Sequence, residues 1–333
     1  MERFSYRSAV WFLAAGFLAL APQAIANDWL STEGTDHPLT GKIVNSSGQV
    51  VDMSALINTA AQSNYVLLGE THDNPDHHRL QAHIILQLGA LPQGDNASVV
   101  FEMLDYEQQN QIDRLMMDPD PVKFGKLIGW ETSGWPAWKD YQPIMEAVVE
   151  HQMDVIAGNP DRNMIRAVGR GGVEALDKEE QNRFGFDIAL AAEQSHGLLE
   201  AVDVGHCGLM PKTALAPMVN VQRLKDGGLA NTMMTARADN DDRGIVVLIA
   251  GSGHVRKDYA VPAVIRNREP DAGIVAISFR EVVSGKDDIS DYFDDQGKNG
   301  SAEDRAFDFI WFTPRVERED PCEKLRRHLE DKG

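Results

Sequence analysis

Five short runs of apolar, largely β-branched residues, without regular polar interruption, constrain this chain more than any other feature. They cover residues 65–70, 98–103, 154–159, 244–251 and 273–279. Continuous hydrophobicity over six to eight residues, rather than alternation, is the pattern of strands buried on both faces. Helical stretches separate them, at residues 77–88, 141–152, 163–170, 184–199 and 215–236. The first of these opens after Asn74-Pro75, an N-cap residue followed by proline in the first turn. Strand and helix alternating this way predict an α/β fold, a mostly parallel mixed sheet with helices on both faces. A last apolar run over residues 308–314 is expected at the sheet edge, because Pro314 cannot extend a central strand. Residues 103–138, richer in Gln, Met, Trp and Gly, read as a helical excursion over the strand ends.

The N-terminus has the three parts of a secretory leader. Arg3 and Arg7 face a single Glu2, residues 9–20 are apolar but too short for a secure membrane span, and Ala24-Ile25-Ala26 supplies a small-residue cleavage site. Residues 1–26 are therefore expected to be a signal peptide, residues 27–314 one α/β domain, and residues 315–333 a charged tail that frays or forms a loose helix. No cysteine follows the apolar run to carry a lipid anchor, so the expected location is the periplasm. No Pro/Ser-rich linker or low-complexity run divides the remaining 307 of the 333 residues.

The formal charge of −19 argues against nucleic acid and anionic lipid surfaces as partners. Cys207 and Cys322 are the only cysteines. They either pair in an oxidising compartment or stand as a buried thiol and an exposed tail thiol; sequence alone leaves both open.

Ligands of open α/β sheets bind outside the carboxyl ends of the strands. Four of the expected strands end in polar groups: Glu70-Thr71-His72, Glu102, Asn159 with Asp161 and Arg162, and Ser252-Gly253-His254. Two of these ends carry Gly-x-x-His, Gly69 to His72 and Gly251 to His254. Two imidazoles and two carboxylates converging would suit a divalent ion, with His72, Glu102 and His254 as ligands. Each residue taken singly also has a structural explanation, such as a hydrogen-bonded turn or a Glu102–Arg162 ion pair. The joint pattern favours a site. His-Glu-x-x-His, Cys-x-x-Cys-His and Gly-x-Ser-x-Gly are all absent from the sequence.

The run from Val66 through Gly69-Glu70-Thr71-His72-Asp73-Asn74-Pro75 to His78, with Gln81 a turn later, resembles the opening motif of the ChaN-like family, in the haem-binding/Tiki group. Phe101-Glu102-Met103 resembles its second strand. Gly134-Trp135-Pro136-Ala137-Trp138, Tyr141, Pro143 and Ala157-Gly158-Asn159 resemble its middle. His206-Cys207-Gly208, Gln222-Arg223-Leu224-Lys225-Asp226 and the block from Ile249 to Pro262 resemble its distal parts. The resemblance runs from about Leu56 to Ser278.

It implies haem binding and a part in haem or iron uptake at the bacterial envelope, with a transport partner and a homodimer both open. It also implies an alternative, because the wider group includes Tiki proteases and erythromycin-esterase relatives. In that reading His72, Glu102 and His254 hold a metal ion, and Glu70 or Glu102 is general base to a metal-bound water. For haem, the ligand-binding candidates are Glu70, His72, His78, Asn159, Arg162, His206, His254 and Tyr259, with His206 or Tyr259 as axial donor. Trp130, Trp135 and Trp138 form either an apolar haem wall or ordinary core.

Overall fold

The computed structural model describes residues 28–293, residue 302 and residues 305–330. The leader expected at residues 1–26 lies outside the described residues. The strands are β1 (Ile43–Asn45), β2 (Val50–Val51), β3 (Tyr65–Glu70), β4 (Ser98–Asp105), β5 (Asp154–Asn159), β6 (Val246–Gly251), β7 (Ile274–Glu281) and β8 (Phe309–Thr313). They form one sheet in the order β2-β1-β8-β7-β3-β6-β4-β5. The six strands from β8 to β5 are mutually parallel, and the short β1–β2 pair is antiparallel at one edge.

The unbroken apolar runs follow from burial on both faces. Val66 and Leu68 of β3, with Val247 and Ile249 of β6, enter one core beneath α2 (Pro75–Gly89) and α5 (Trp138–Glu150). The residues between them, Leu67, Val246 and Leu248, enter a second core beneath α9 (Lys212–Asp239) and α10 (Val261–Arg268). α2 begins as expected: the Asn74 side chain accepts the Asp76 and His77 amides, and Pro75 occupies the first turn.

Two expectations are corrected. The run at 308–314 is not an edge strand: β8 lies between β1 and β7. Pro314 falls just past its last residue, where its carbonyl accepts a hydrogen bond from Asn74 Nδ2 at 3.1 Å, so no ladder donor is missed. The strand that covers β8, β1, is only three residues long and carries little periodic signal. Of the helix expected at 184–199 only the second half is helical, in α8 (Ala192–Gly205); residues 184–191 are turn and loop that follow α7 (Lys178–Arg183). Gly185 sits at φ +72°, a left-handed conformation that ends α7. Phe184 turns into a small core with Val168, Leu176 and Leu224.

The excursion after β4 contains α3 (Gln109–Met116), α4 (Pro121–Ile128) and a turn at Trp130–Thr132. Trp130 and Trp138 are core rather than ligand wall. They meet edge to face at 5.0 Å, and their indole N–H groups donate to Pro136 and Pro121 carbonyls. Trp135 alone of the three touches a proposed site residue: its ring centroid is 4.8 Å from that of His72. The open edge of β5 is blocked by Gln109, whose side chain donates to Val155 O and accepts from Ala157 N. The tail, expected to fray or form a loose helix, carries α11 (Pro321–Glu330), tethered by a Cys207–Cys322 disulfide to the residue after α8 and its cap.

Candidate functional site

The strand order puts β6 between β3 and β4, so the ends bearing His72, His254 and Glu102 are neighbours. Glu70 lies beside Gly251 in register. A Cβ on Gly251 would stand 2.9 Å from His72 Nε2, so a larger residue there would displace the imidazole. β4 carries an irregularity at this level. Phe101 pairs with Ala157 and Asp105 with Asn159, so four steps on β4 oppose two on β5. Such bulges re-aim side chains at strand ends, and Glu102 lies within this one.

Glu70, in step with Val66 and Leu68, faces the α2/α5 layer. Its Oε1 accepts from Tyr141 Oη at 2.5 Å and from His72 Nδ1 at 2.9 Å, and its Oε2 lies 3.4 Å from His78 Nε2. Glu102 faces α9. Its Oε1 is 2.7 Å from Lys225 Nζ and 3.2 Å from His254 Nε2, and its Oε2 accepts the Gly251 amide at 2.9 Å. His254 Nδ1 lies 2.6 Å from Asp226 Oδ1 and 3.0 Å from Gln222 Nε2. His72 Nε2, 3.9 Å from Glu102 Oε2, links the two halves. Glu70, Glu102, Asp226 and His254 are buried, whereas the His72 side chain is 34% exposed.

Lys225 and Asp226 reach this point because α9 packs with almost no clearance. A Cβ on Gly227 would meet the Phe184 carbonyl oxygen at 2.0 Å, and one on Gly228 would meet Pro160 at 2.5 Å.

The electrostatics follow from these pairs. Burial pushes the pKa of Glu70 up, but His78 and His72 outweigh it and hold the group below its ordinary value. Burial likewise opposes ionisation of Glu102, and His254, Lys225 and His72 together keep it well below the usual range. For His254, burial disfavours the cation, but Glu102 and Asp226 outweigh it and raise the pKa to about 9. Asp226 is pushed up, chiefly by burial. His72 is raised: Glu70 and Glu102 overcome the cost of its burial.

His72, Glu102, His254 and Glu70 are thus brought together. Other expected members are not. Arg162 pairs with Asp105 at 3.0 Å, not with Glu102, and Asn159 Nδ2 reaches the same carboxylate at 3.4 Å. His78 is fully buried, its ring 3.9 Å from that of Tyr141, so it cannot meet a ligand. His206 turns Nδ1 to Val202 O at 2.7 Å and caps α8. Tyr259 lies in a cleft of about 700 Å³ between α8 and the ends of β6 and β7, which Ser252, Gly253, Arg256, Arg280 and Phe307 also line. It also borders a cavity of about 90 Å³ whose lining includes Asp226.

Lys225, Asp226, Gln222 and Tyr141 were given no role from sequence, although each lies in a block resembling the family. The signal was available: Gln222, Lys225 and Asp226 are spaced to share one helix face, and a charged residue beside Gly227-Gly228 marks a close approach.

The Nε2 atoms of His72 and His254 both face Glu102, at 3.9 and 3.2 Å. Their Nδ1 atoms are held by carboxylates, His72 by Glu70 and His254 by Asp226, and the Lys225 ammonium lies 2.7 Å from Glu102 Oε1. Among the described residues no group of three or more His, Cys, Asp or Glu is arranged to hold a metal ion. His72, Glu102 and His254 are members of one ion-pair network with Glu70, Lys225 and Asp226.

Comparison with known proteins identifies the chain. The family model for haem-binding uptake proteins of the Tiki superfamily, ChaN, matches residues 56–265. Among solved structures, ChaN of Campylobacter jejuni with cofacially bound haem is similar at a TM-score of 0.62 and 20% identity, covering 81% of this chain and 95% of that one. That likeness shows a shared fold. A mutant erythromycin esterase, EreC, in its open conformation aligns over 84% of this chain and 99% of its own at 12% identity and a TM-score of 0.44, too distant to carry an argument. No curated protein matches the chain. On the extent of the family match, and with the fold in agreement, this chain belongs to the ChaN family of haem-binding uptake proteins in the Tiki superfamily.

Proposed function

We propose that this protein binds haem in the cleft between α8 and the ends of β6 and β7, as an exported protein serving haem or iron uptake. The observation that carries this reading is the cleft itself. At about 700 Å³ it is in the size range of small-molecule and cofactor sites, and it lies outside the carboxyl ends of parallel strands. Tyr259 borders the cleft and is the donor this reading assigns to the iron, since a tyrosine oxygen is an established donor to haem iron. Arg256 stands over the Tyr259 ring at 5.0 Å. Opposite, α8 brings Gly197 within 3.4 Å of that ring, measured from where its Cβ would be, so the wall is low and flat. The leader-like N-terminus and the Cys207–Cys322 bond support export to an oxidising compartment. Delivery to an envelope partner belongs to the same proposal.

The test is a haem titration of the purified protein, followed near the Soret band, for wild type, Tyr259→Phe and Ala201→Trp. Ala201 lies on an exposed stretch of α8 and lines the cleft, so a tryptophan there fills it without disturbing the core. A saturable shift that Ala201→Trp abolishes and Tyr259→Phe weakens or displaces supports the proposal. Absence of a saturable shift in wild type overturns it.

One observation favours a second reading, acid–base hydrolysis. Glu70 orients the partly exposed His72 ring, whose Nε2 lies 3.9 Å from Glu102 Oε2. In that reading His72 takes the proton from water. Glu70 and Glu102, both buried, position rather than catalyse, unlike the general-base role expected of them. Ester hydrolysis lost in His72→Ala, with haem binding retained, would separate this activity from the cleft.

A further inference from the structure

The cavity of about 90 Å³ beside Asp226 lies between the loop after α7, α9 and α10. Tyr259 and Gln194 line both this cavity and the large cleft, but the other walls differ. Asp226 is 2% exposed. Its Oδ1 is taken by His254 Nδ1 at 2.6 Å, and among the described residues nothing donates to its Oδ2. A buried acceptor without a donor costs free energy, so an orphaned carboxylate oxygen on a cavity wall points to an occupant. Arg223, three residues earlier on α9, lines the same cavity. Its Nη2 donates to the Gly185 and Ile188 carbonyls at 3.3 and 3.0 Å, and the guanidinium stands 4.9 Å from the Phe186 ring centroid. These contacts fix the group at the wall while most of its N–H donors stay uncommitted. Much of the remaining wall is apolar, including Leu190 and Val264.

We propose that this cavity is a second binding site, for a small neutral primary carboxamide. The amide nitrogen donates to Asp226 Oδ2, the amide carbonyl accepts from Arg223, and the alkyl end lies against Leu190 and Val264. Each simpler occupant leaves a group unmet. An amine brings a second cation beside Arg223, a carboxylate confronts Asp226, and a ketone leaves Oδ2 without a donor. Size sets the rest. A single water takes about 10–15 Å³ of cavity, so there is room for a molecule of about four to six non-hydrogen atoms. The site does not depend on haem binding in the large cleft.

The experiment titrates the protein with propionamide, 2-butanone and propionate, three molecules of one shape, and follows backbone amide shifts by NMR. Wild type should bind propionamide at least about tenfold more tightly than either of the others, the effect of one buried acceptor left unmet or opposed. The shifts should centre on the loop at residues 184–191 and on α10. Ala263→Leu, which puts a larger side chain on the cavity wall, should abolish binding, and Asp226→Asn should bring propionamide down to the level of 2-butanone. Equal affinity for propionamide and 2-butanone overturns the inference, because the cavity is then only an apolar void. Propionate binding as tightly as propionamide overturns it too, because Arg223 alone is then reading an anion. No saturable shift with any of the three, or full affinity retained in Ala263→Leu, overturns it equally. The wild-type series decides the matter even where Asp226→Asn does not fold.

Discussion

Asp226 Oδ1 lies 2.6 Å from His254 Nδ1, while the other nitrogen of the same ring faces Glu102 Oε1 at 3.2 Å. His254 is therefore a buried cation held between two carboxylates from α9 and β4. The geometry makes its proton part of the fold: a neutral ring can donate through one nitrogen, not both.

That proton sets a pH dependence. The His254 pKa is raised from 6.5 to about 9 by Glu102 and Asp226, against its burial. A raised pKa contributes stability that is full below the unfolded value and is lost as pH rises through the folded one. Unfolding free energy should fall between about pH 6.5 and 9 by roughly 3 kcal/mol from this group. Urea denaturation across that window, in wild type and His254→Gln, checks it. A slope that persists unchanged in the variant would refute the assignment.

Glu102 takes up three donors, from Lys225, His254 and the Gly251 amide. Glu102→Gln removes the counter-charge of Lys225 and one of the two carboxylates that hold His254, and should destabilise by about 3–5 kcal/mol. Adding Lys225→Met to that variant should restore part of the loss, because it removes the stranded charge. Strict additivity of the two changes, measured by chemical denaturation, would show that the ion pair is not energetically coupled.

His77 behaves oppositely to His254. It accepts the Thr71 amide on Nδ1 at 2.9 Å and meets Thr313 Oγ1 through Nε2 at 2.9 Å, with no carboxylate in hydrogen-bonding contact. Burial and the neighbouring His78 lower its pKa to about 3. A depressed value means stability present above pH 6.5 and lost as pH falls toward 3, up to roughly 5 kcal/mol. His77→Asn, which keeps an acceptor for Thr71, should be less stable at pH 7 yet lose less on acidification. Parallel pH profiles for variant and wild type would contradict this.

The Cys207–Cys322 bond spans 115 residues. Closing a loop of that size typically contributes about 2–4 kcal/mol through the unfolded chain. Native protein should react with a thiol reagent only after reduction. The Cys322→Ser variant should unfold at lower denaturant and release α11 to limited proteolysis, while the sheet core stays resistant. Full thiol reactivity in unreduced native protein would exclude the bond.

The sequence by itself determined the long buried strands, their mostly parallel arrangement, and which strand ends carry polar residues. Val66 and Leu68 on one face and Leu67 on the other must all be apolar when helices cover both sides, and that local requirement is legible without coordinates. The Gly-x-x-His turns were legible too, because glycine opens the backbone where His72 and His254 fold back. What only the tertiary structure decided is who partners whom. β8 is internal because a three-residue strand, too short to register as a pattern, lies outside it. Arg162 and Lys225 are both basic residues far from Glu102 in sequence. Lys225 forms the pair because Gly227 and Gly228 let α9 come close, while Arg162 meets Asp105 first. The same packing puts the Lys225 ammonium on Glu102, beside the two imidazoles. Donor identity is written in the chain, but lone pairs are assigned by distances of a few ångströms between elements over a hundred residues apart, and those depend on packing of the whole domain.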